Sequence, residues 1–193
     1  MAGIFDRMRD GEQQIVAQPP APSPAATEIA RMVLRDGFED RVPLAPKPCL
    51  GIVLGTGMGS LVRHLEDKRT VDFSEMGWLP SVTAVGHAGR LVWGNVGDHS
   101  VVMLQGRVHA YEGQPVEMLY RGVELFAALG IDRVLLTNAS GGLATDLLVG
   151  EIVVLNDHID LVRNALAAEY RTTNGGYVYD EVLSSEAVHA AQA

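Results

Sequence analysis

LGIVLGTGMGS, residues 50–60, is an apolar run that ends in a glycine turn. The run from Leu50 to Leu54 carries no charge and predicts a buried strand. Gly55, Gly57 and Gly59 predict a tight turn, and Leu61, Val62 and Leu65 suit the start of a helix. Strand, glycine turn and helix in that order leave backbone N–H groups aimed at whatever sits above the turn, and the helix dipole favours an anion there. The turn lacks the Gly-Lys-Ser/Thr ending of a P-loop. Ser60 stands where the dinucleotide pattern has its last Gly or Ala, so a dinucleotide site is a weak alternative. Taken alone, the turn reads equally as a phosphate cradle or as a turn with no ligand.

The same rhythm returns downstream. Residues 133–137, RVLLT, read as a buried strand and end in the small-residue loop Asn138, Ala139, Ser140, Gly141, Gly142, a second backbone cradle at a strand end. Between the two lies QGRVHAYEG, residues 105–113, directly after an apolar run. Arg107 and His109 can both donate hydrogen bonds to an anion, Tyr111 offers a flat face and a hydroxyl, and Glu112 can orient a neighbouring imidazole. An ordinary charged strand-to-helix loop is the competing interpretation of that stretch. His87, flanked by Gly86 and Ala88-Gly89, sits on a loop that lets it swing toward a ligand, or it is an exposed histidine with no role.

The remaining elements complete an α/β pattern. Strands are expected near 81–85, 90–96, 100–104 and 151–155, with Gly97-Asp98 turning a hairpin between the second and third. Residues 115–129 form the clearest helix, with Val116, Leu119, Tyr120, Val123, Phe126 and Ala127 as one apolar stripe, Pro115 in its first turn and Gly130 after its end. Residues 25–38 predict an amphipathic helix on Ile29, Met32 and Val33, with Thr27 as its cap, and residues 180–191 predict another. Pro19, Pro20, Pro22 and Pro24 mark residues 1–24 as a disordered tail ahead of a single α/β domain over 25–193, and Pro43, Pro46 and Pro48 punctuate a linker.

Composition narrows the function classes. The 193 residues are 47% hydrophobic and 20% charged, enough for one sizeable core. A net charge of −9 and a pI near 5.0 disfavour nucleic acid or an anionic membrane as a partner, so phosphate chemistry has to come from a local cluster of donors. The one cysteine, Cys49, excludes an internal disulfide framework and is expected to be a packed core thiol. The N-terminus has no apolar run of signal-peptide length, and no run reaches the roughly 18 apolar residues of a membrane span. A cytoplasmic protein is the expectation.

GTGMG, GHAGRLVWG, QGRVHAYEG, TNASGGL and VGEIVVLNDHIDL, in that order and at matching separations, resemble the trimeric purine nucleoside phosphorylase family from about residue 52 to residue 161. The resemblance implies a phosphorylase/hydrolase-like fold, a mixed twisted sheet flanked by helices, here incomplete at its C-terminal end. It implies phosphorolysis of purine ribonucleosides or deoxyribonucleosides by a homotrimer, with inorganic phosphate as co-substrate and no cofactor or metal. By the same resemblance Thr56 replaces the usual serine of the first loop and binds phosphate together with His87, Arg107 and the backbone N–H of Ala139. His109 and His87 are the catalytic histidines, and His109 and Tyr111 face the ribose. The family's purine-reading glutamate and asparagine lie in a C-terminal portion with no match here, and Glu169, Glu181 and Glu186 do not fill the role. A catalytically silent phosphate-binding or oligomeric interaction module is therefore the alternative function.

Overall fold

The computed structural model describes residues 21–38, 48–80, 82, 88–158 and 179–192. Its nucleus is the hairpin of β3 (Arg90–Val96) and β4 (His99–Gln105), joined at Gly97-Asp98 with Val96 opposite His99. Gly97 takes a positive φ of 56°, which lets a two-residue turn reverse the chain. β1 (Leu50–Leu54) lies parallel to β4 on one side and to β5 (Val134–Leu136) on the other. β2 (Glu66–Asp72) pairs antiparallel with β3, giving a mixed five-stranded sheet in the order β2-β3-β4-β1-β5.

Side-chain alternation along the hairpin divides the core into two layers. Leu91, Trp93, Val102 and Leu104 join Val53 on one face, packed against Leu125 and Phe126 of α3 (Val116–Ala128), Ile29, Ala30 and Val33 of α1 (Pro24–Phe38), and Phe73 and Met76 of the one-turn helix α2 (Phe73–Met76). Val92, Val101, Met103 and Leu54 form a smaller cluster on the other face with Leu65. Because both faces of β1, β3 and β4 are buried, their sequences read as near-continuous apolar runs. α3 carries the chain from β4 to β5, so it crosses over β1, and Gly51 of β1 is the reason it can sit so close. A Cβ on Gly51 would stand 2.6 Å from Cδ2 of Phe126, a fully buried ring.

Several expectations are corrected. The cap of α1 is Ser23, not Thr27: Ser23 Oγ accepts from the N–H of Ala26 at 3.2 Å, its carbonyl accepts from the N–H of Thr27 at 3.0 Å, and Pro24 takes the first helical position. After the glycine turn the chain makes a six-residue 3-10 helix, Gly59–His64, in place of a full α-helix, because it must turn at once into β2. β2 itself, EDKRTVD, escapes a search for apolar runs: it is an edge strand, charged and irregular between Glu66 and Arg69, as exposed edges tend to be. The apolar stripe of α3 is wider than its buried face. Leu125 and Phe126 are buried, whereas Val123 and Ala127 are exposed.

The strand expected at 133–137 exists as Val134–Leu136 but is not buried; it pairs with β1 on one side, and no other described strand pairs with its outer edge. The strand expected at 151–155 is absent, and Ile152 is 78% exposed, since no described strand offers it a ladder. The strand expected at 81–85 lies outside the described residues except for Val82, which is not in a strand, and so does most of the tail, 1–20. Cys49 is half-buried, with its thiol donating to the carbonyl of Ser100 at 3.4 Å. The helix expected at 180–191 is α4, Glu181–Ala191, capped by Asp180 Oδ1 accepting from the N–H of Leu183 at 2.9 Å. Among the described residues no helix is long and apolar enough to cross a membrane.

Two substitutions measure how much of the fold rests on these contacts. Gly51→Ala is expected to cost about 1–3 kcal/mol, because the new methyl must displace a ring already closed in. Ser23→Ala is expected to cost about 1 kcal/mol through loss of the cap. Urea unfolding midpoints of the two variants, compared with the parent at constant m-value, check both figures.

Candidate functional site

Parallel pairing builds the site before any side chain is considered. Leu54 is in register with Gln105, and Val53 with Leu136. Strands β1, β4 and β5 therefore run out at the same edge of the sheet, and the loops that follow them emerge side by side. Open α/β sheets bind ligands at this kind of edge, outside the carboxyl ends of parallel strands. The first loop carries Thr56, the second Arg107, His109 and Tyr111, and the third Ala139.

The first loop is a tight turn, with the N–H of Met58 donating to the carbonyl of Gly55 at 3.0 Å. Gly55 is buried against the third loop so closely that a Cβ there would lie 2.4 Å from the carbonyl oxygen of Thr137 and 2.8 Å from Cα of Asn138. The contact is also a hydrogen bond: the N–H of Gly55 donates to Thr137 Oγ1 at 2.9 Å, and that hydroxyl donates to the carbonyl of Val53 at 3.0 Å. Thr56 follows at the exposed tip of the turn. At the far end of the same loop, Gln105 Nε2 donates to the carbonyl of Gly59 at 2.9 Å.

The second loop leaves β4 through buried Gly106, whose φ of 116° a larger residue would adopt only under strain. Arg107 and His109 are half-buried. The chain then makes one 3-10 turn, Ala110–Glu112, closed by Gly113 at φ 72°. Glu112 holds this turn to the preceding residues: its Oε1 accepts from the backbone N–H of His109 at 2.7 Å, and its own N–H donates to the His109 carbonyl at 3.0 Å. The sequence suggested an imidazole as the partner of this carboxylate, and the bond the structure shows is to the main chain of His109. The His109 ring stacks on Tyr111 with centroids 4.9 Å apart and planes 15° from parallel. Tyr111 is 76% exposed, so this pair forms a flat platform at the mouth of the site.

An open cavity of about 130 Å³ lies between the strand ends and α3, lined by Arg107 together with Val53, Leu104, Leu119 and Leu136 among others. Its walls are mostly apolar, which suits packing or a hydrocarbon group and not an anion. Arg107 lines this cavity and belongs to the loop cluster, which holds the other polar groups. Of the residues singled out from sequence, Thr56, Arg107, His109, Tyr111 and Ala139 are brought to one sheet edge. His87 lies outside the described residues, although the N–H groups of Ala88 and Gly89 beside it both donate to the carbonyl of Gln105, at 3.1 and 3.0 Å. Sequence reasoning gave no role to the side chains of Thr137 and Gln105. A polar residue closing an apolar strand run was the available signal in both cases.

Known proteins are similar to this chain over most of its length. The model of the phosphorylase superfamily matches residues 50–193. Purine nucleoside phosphorylase from Bos taurus is 42% identical over 115 residues, which cover 60% of this chain and 40% of that protein. Purine nucleoside phosphorylase 1 from Bacillus subtilis (strain 168) is 35% identical over 125 residues, 65% of this chain and 45% of the relative. The chain thus spans less than half the length of these two relatives. Among solved structures, isoform 2 of purine nucleoside phosphorylase from Schistosoma mansoni in complex with cytosine and ribose-1-phosphate is similar with a TM-score of 0.66 at 28% identity, over 89% of this chain and 62% of that one. The family match covers most of the chain and includes all three strands whose ends make the loop cluster, and on that ground this protein belongs to the phosphorylase superfamily.

Proposed function

We propose that the loop cluster is the phosphate and ribose side of a purine nucleoside phosphorylase site, and that the protein's reaction is phosphate-dependent cleavage of purine ribonucleosides or deoxyribonucleosides to the free base and the pentose 1-phosphate. The observation that carries this proposal is the convergence of three parallel strand ends, one bearing Arg107 and the other two bearing glycine-rich loops. The similar proteins named purine nucleoside phosphorylase support it, as does the ribose-1-phosphate in the Schistosoma mansoni complex.

In this proposal the phosphate dianion sits over the loops. Arg107 offers it a two-pronged donor, Thr56 a hydroxyl, and Ala139 a backbone N–H. His87 joins them from its loop. One phosphate oxygen supplies the electron pair for the new bond to C1′, the glycosidic C–N bond breaks, and its electron pair leaves with the purine, which takes a proton. Positive charge builds on the sugar as the bond lengthens, and the adjacent dianion stabilises it. The His109 and Tyr111 platform flanks the ribose, with His109 placed to exchange hydrogen bonds with both sugar and phosphate. No cofactor or metal enters the step, and the assembly is a homotrimer, which sedimentation velocity would read directly.

A second reading is favoured by one observation: no described residue is assigned to the purine. In that reading the protein binds phosphate without turning substrate over. Release of hypoxanthine from inosine, followed with and without phosphate, separates the two. Phosphorolysis predicts turnover that depends strictly on phosphate, and Arg107→Ala is expected to reduce it by about 100-fold or more. The silent module predicts a rise in melting temperature with millimolar phosphate and no hypoxanthine. Turnover that persists without phosphate would overturn the phosphorylase proposal.

A further inference from the structure

We infer that Gln105 is a positioning residue that sets the spacing of the loops around the phosphate, an inference that rests on the phosphate-site proposal above. Gln105 is the last residue of β4, in register with Leu54 of β1 and Arg90 of β3, and stands two positions before Arg107. Its half-buried side chain crosses to the first loop, where Nε2 donates to the carbonyl of Gly59 at 2.9 Å. Its main-chain carbonyl points the other way and accepts from both Ala88 and Gly89, at 3.1 and 3.0 Å. One residue thereby ties the loop bearing Thr56, the segment next to His87 and the strand that leads into Arg107.

The first loop is held at its other end by Thr137, whose hydroxyl takes the N–H of Gly55 at 2.9 Å. It is therefore clamped at Gly55 from the β5 side and at Gly59 from the β4 side, with Thr56 between the clamps. Phosphate binding by donors from separate loops needs those donors at matched distances before the anion arrives, since each adjustment made on binding lowers affinity. Glutamine suits the β4 clamp because the partner is a carbonyl, so the side chain must donate, and the site must attract an anion, so it must carry no negative charge. Glutamate fails on both counts. Methionine keeps the unbranched shape and removes the donor.

The test measures the affinity of the full chain for inorganic phosphate by calorimetry, together with the melting temperature without phosphate. Gln105→Met is expected to weaken phosphate binding by about 5- to 30-fold, because the donors of the first loop are no longer held at their spacing, while melting temperature without phosphate falls by only a few degrees, about the value of one hydrogen bond. Gln105→Glu is expected to weaken it further. If Gln105 works through the first loop, its effect must shrink when that loop no longer contributes. In a Thr56→Ala background, Gln105→Met should change affinity by less than about 3-fold. Should Gln105→Met fail to fold, Gln105→Asn, which keeps the amide and shortens its reach by one methylene, carries the same expectations.

Unchanged phosphate affinity in the variant, a lowered melting temperature with unchanged affinity, or fully additive effects with Thr56→Ala would each overturn the role given to Gln105. Failure of the parent protein to bind phosphate at all would instead overturn the site proposal on which it rests.

Discussion

The arrangement of this protein depends on the parallel pairing of β1 with β4 and with β5. Antiparallel neighbours would send successive loops to opposite edges. Parallel ones send them to the same edge, and the two registers, Leu54 with Gln105 and Val53 with Leu136, bring three loop starts nearly level. Every described group assigned to the anion or the sugar then lies within one loop of a strand end. Parallel strands need a long crossover, and α3 supplies it by spanning β1. The absence of a side chain on Gly51 is what lets that crossover lie flat on the sheet.

Close approach of the backbone recurs where the chemistry is expected. Gly55 touches the main chain of Thr137 and Asn138, so the first and third loops are in contact at their bases before any ligand binds. Side chains then fix the distances: Thr137 at one end of the glycine turn, Gln105 at the other, and Glu112 across the turn that presents His109 and Tyr111. These are short hydrogen bonds made by residues on or beside strands, whose positions the sheet sets. A site built in this way gains anion affinity from geometry more than from net charge, which agrees with a chain whose overall charge is −9.

The sheet is asymmetric in how it is finished. On the β2 side the edge is charged and carries an irregular register, both of which discourage further pairing. On the β5 side the described residues leave Leu135 and Leu136 exposed at 44% and 58%, and the following segment exposes Leu148, Val149 and Ile152. An apolar strand with one unpaired edge has the composition of a buried strand and the surroundings of a surface one.

That contrast marks the boundary between what was legible in the residues and what was not. Local patterns in the residues suffice for the α/β class, the strands β1, β3 and β4 and the hairpin, the helices α1, α3 and α4, and the glycine turns. Each of these is written in local periodicity or in a residue whose backbone preference is strong. The sequence also placed Arg107, His109, Tyr111, Thr56 and Ala139 on loops after apolar runs. That those loops share an edge follows from the folded sheet alone, because strand order and direction rest on contacts between residues far apart in the chain, as between Gly51 and Val102. The exposure of β5, the charged edge strand β2, and the hydrogen bonds of Gln105 and Thr137 were likewise invisible in the sequence. Burial and side-chain partnership are properties of the neighbours a residue acquires on folding, and its own type constrains them only weakly.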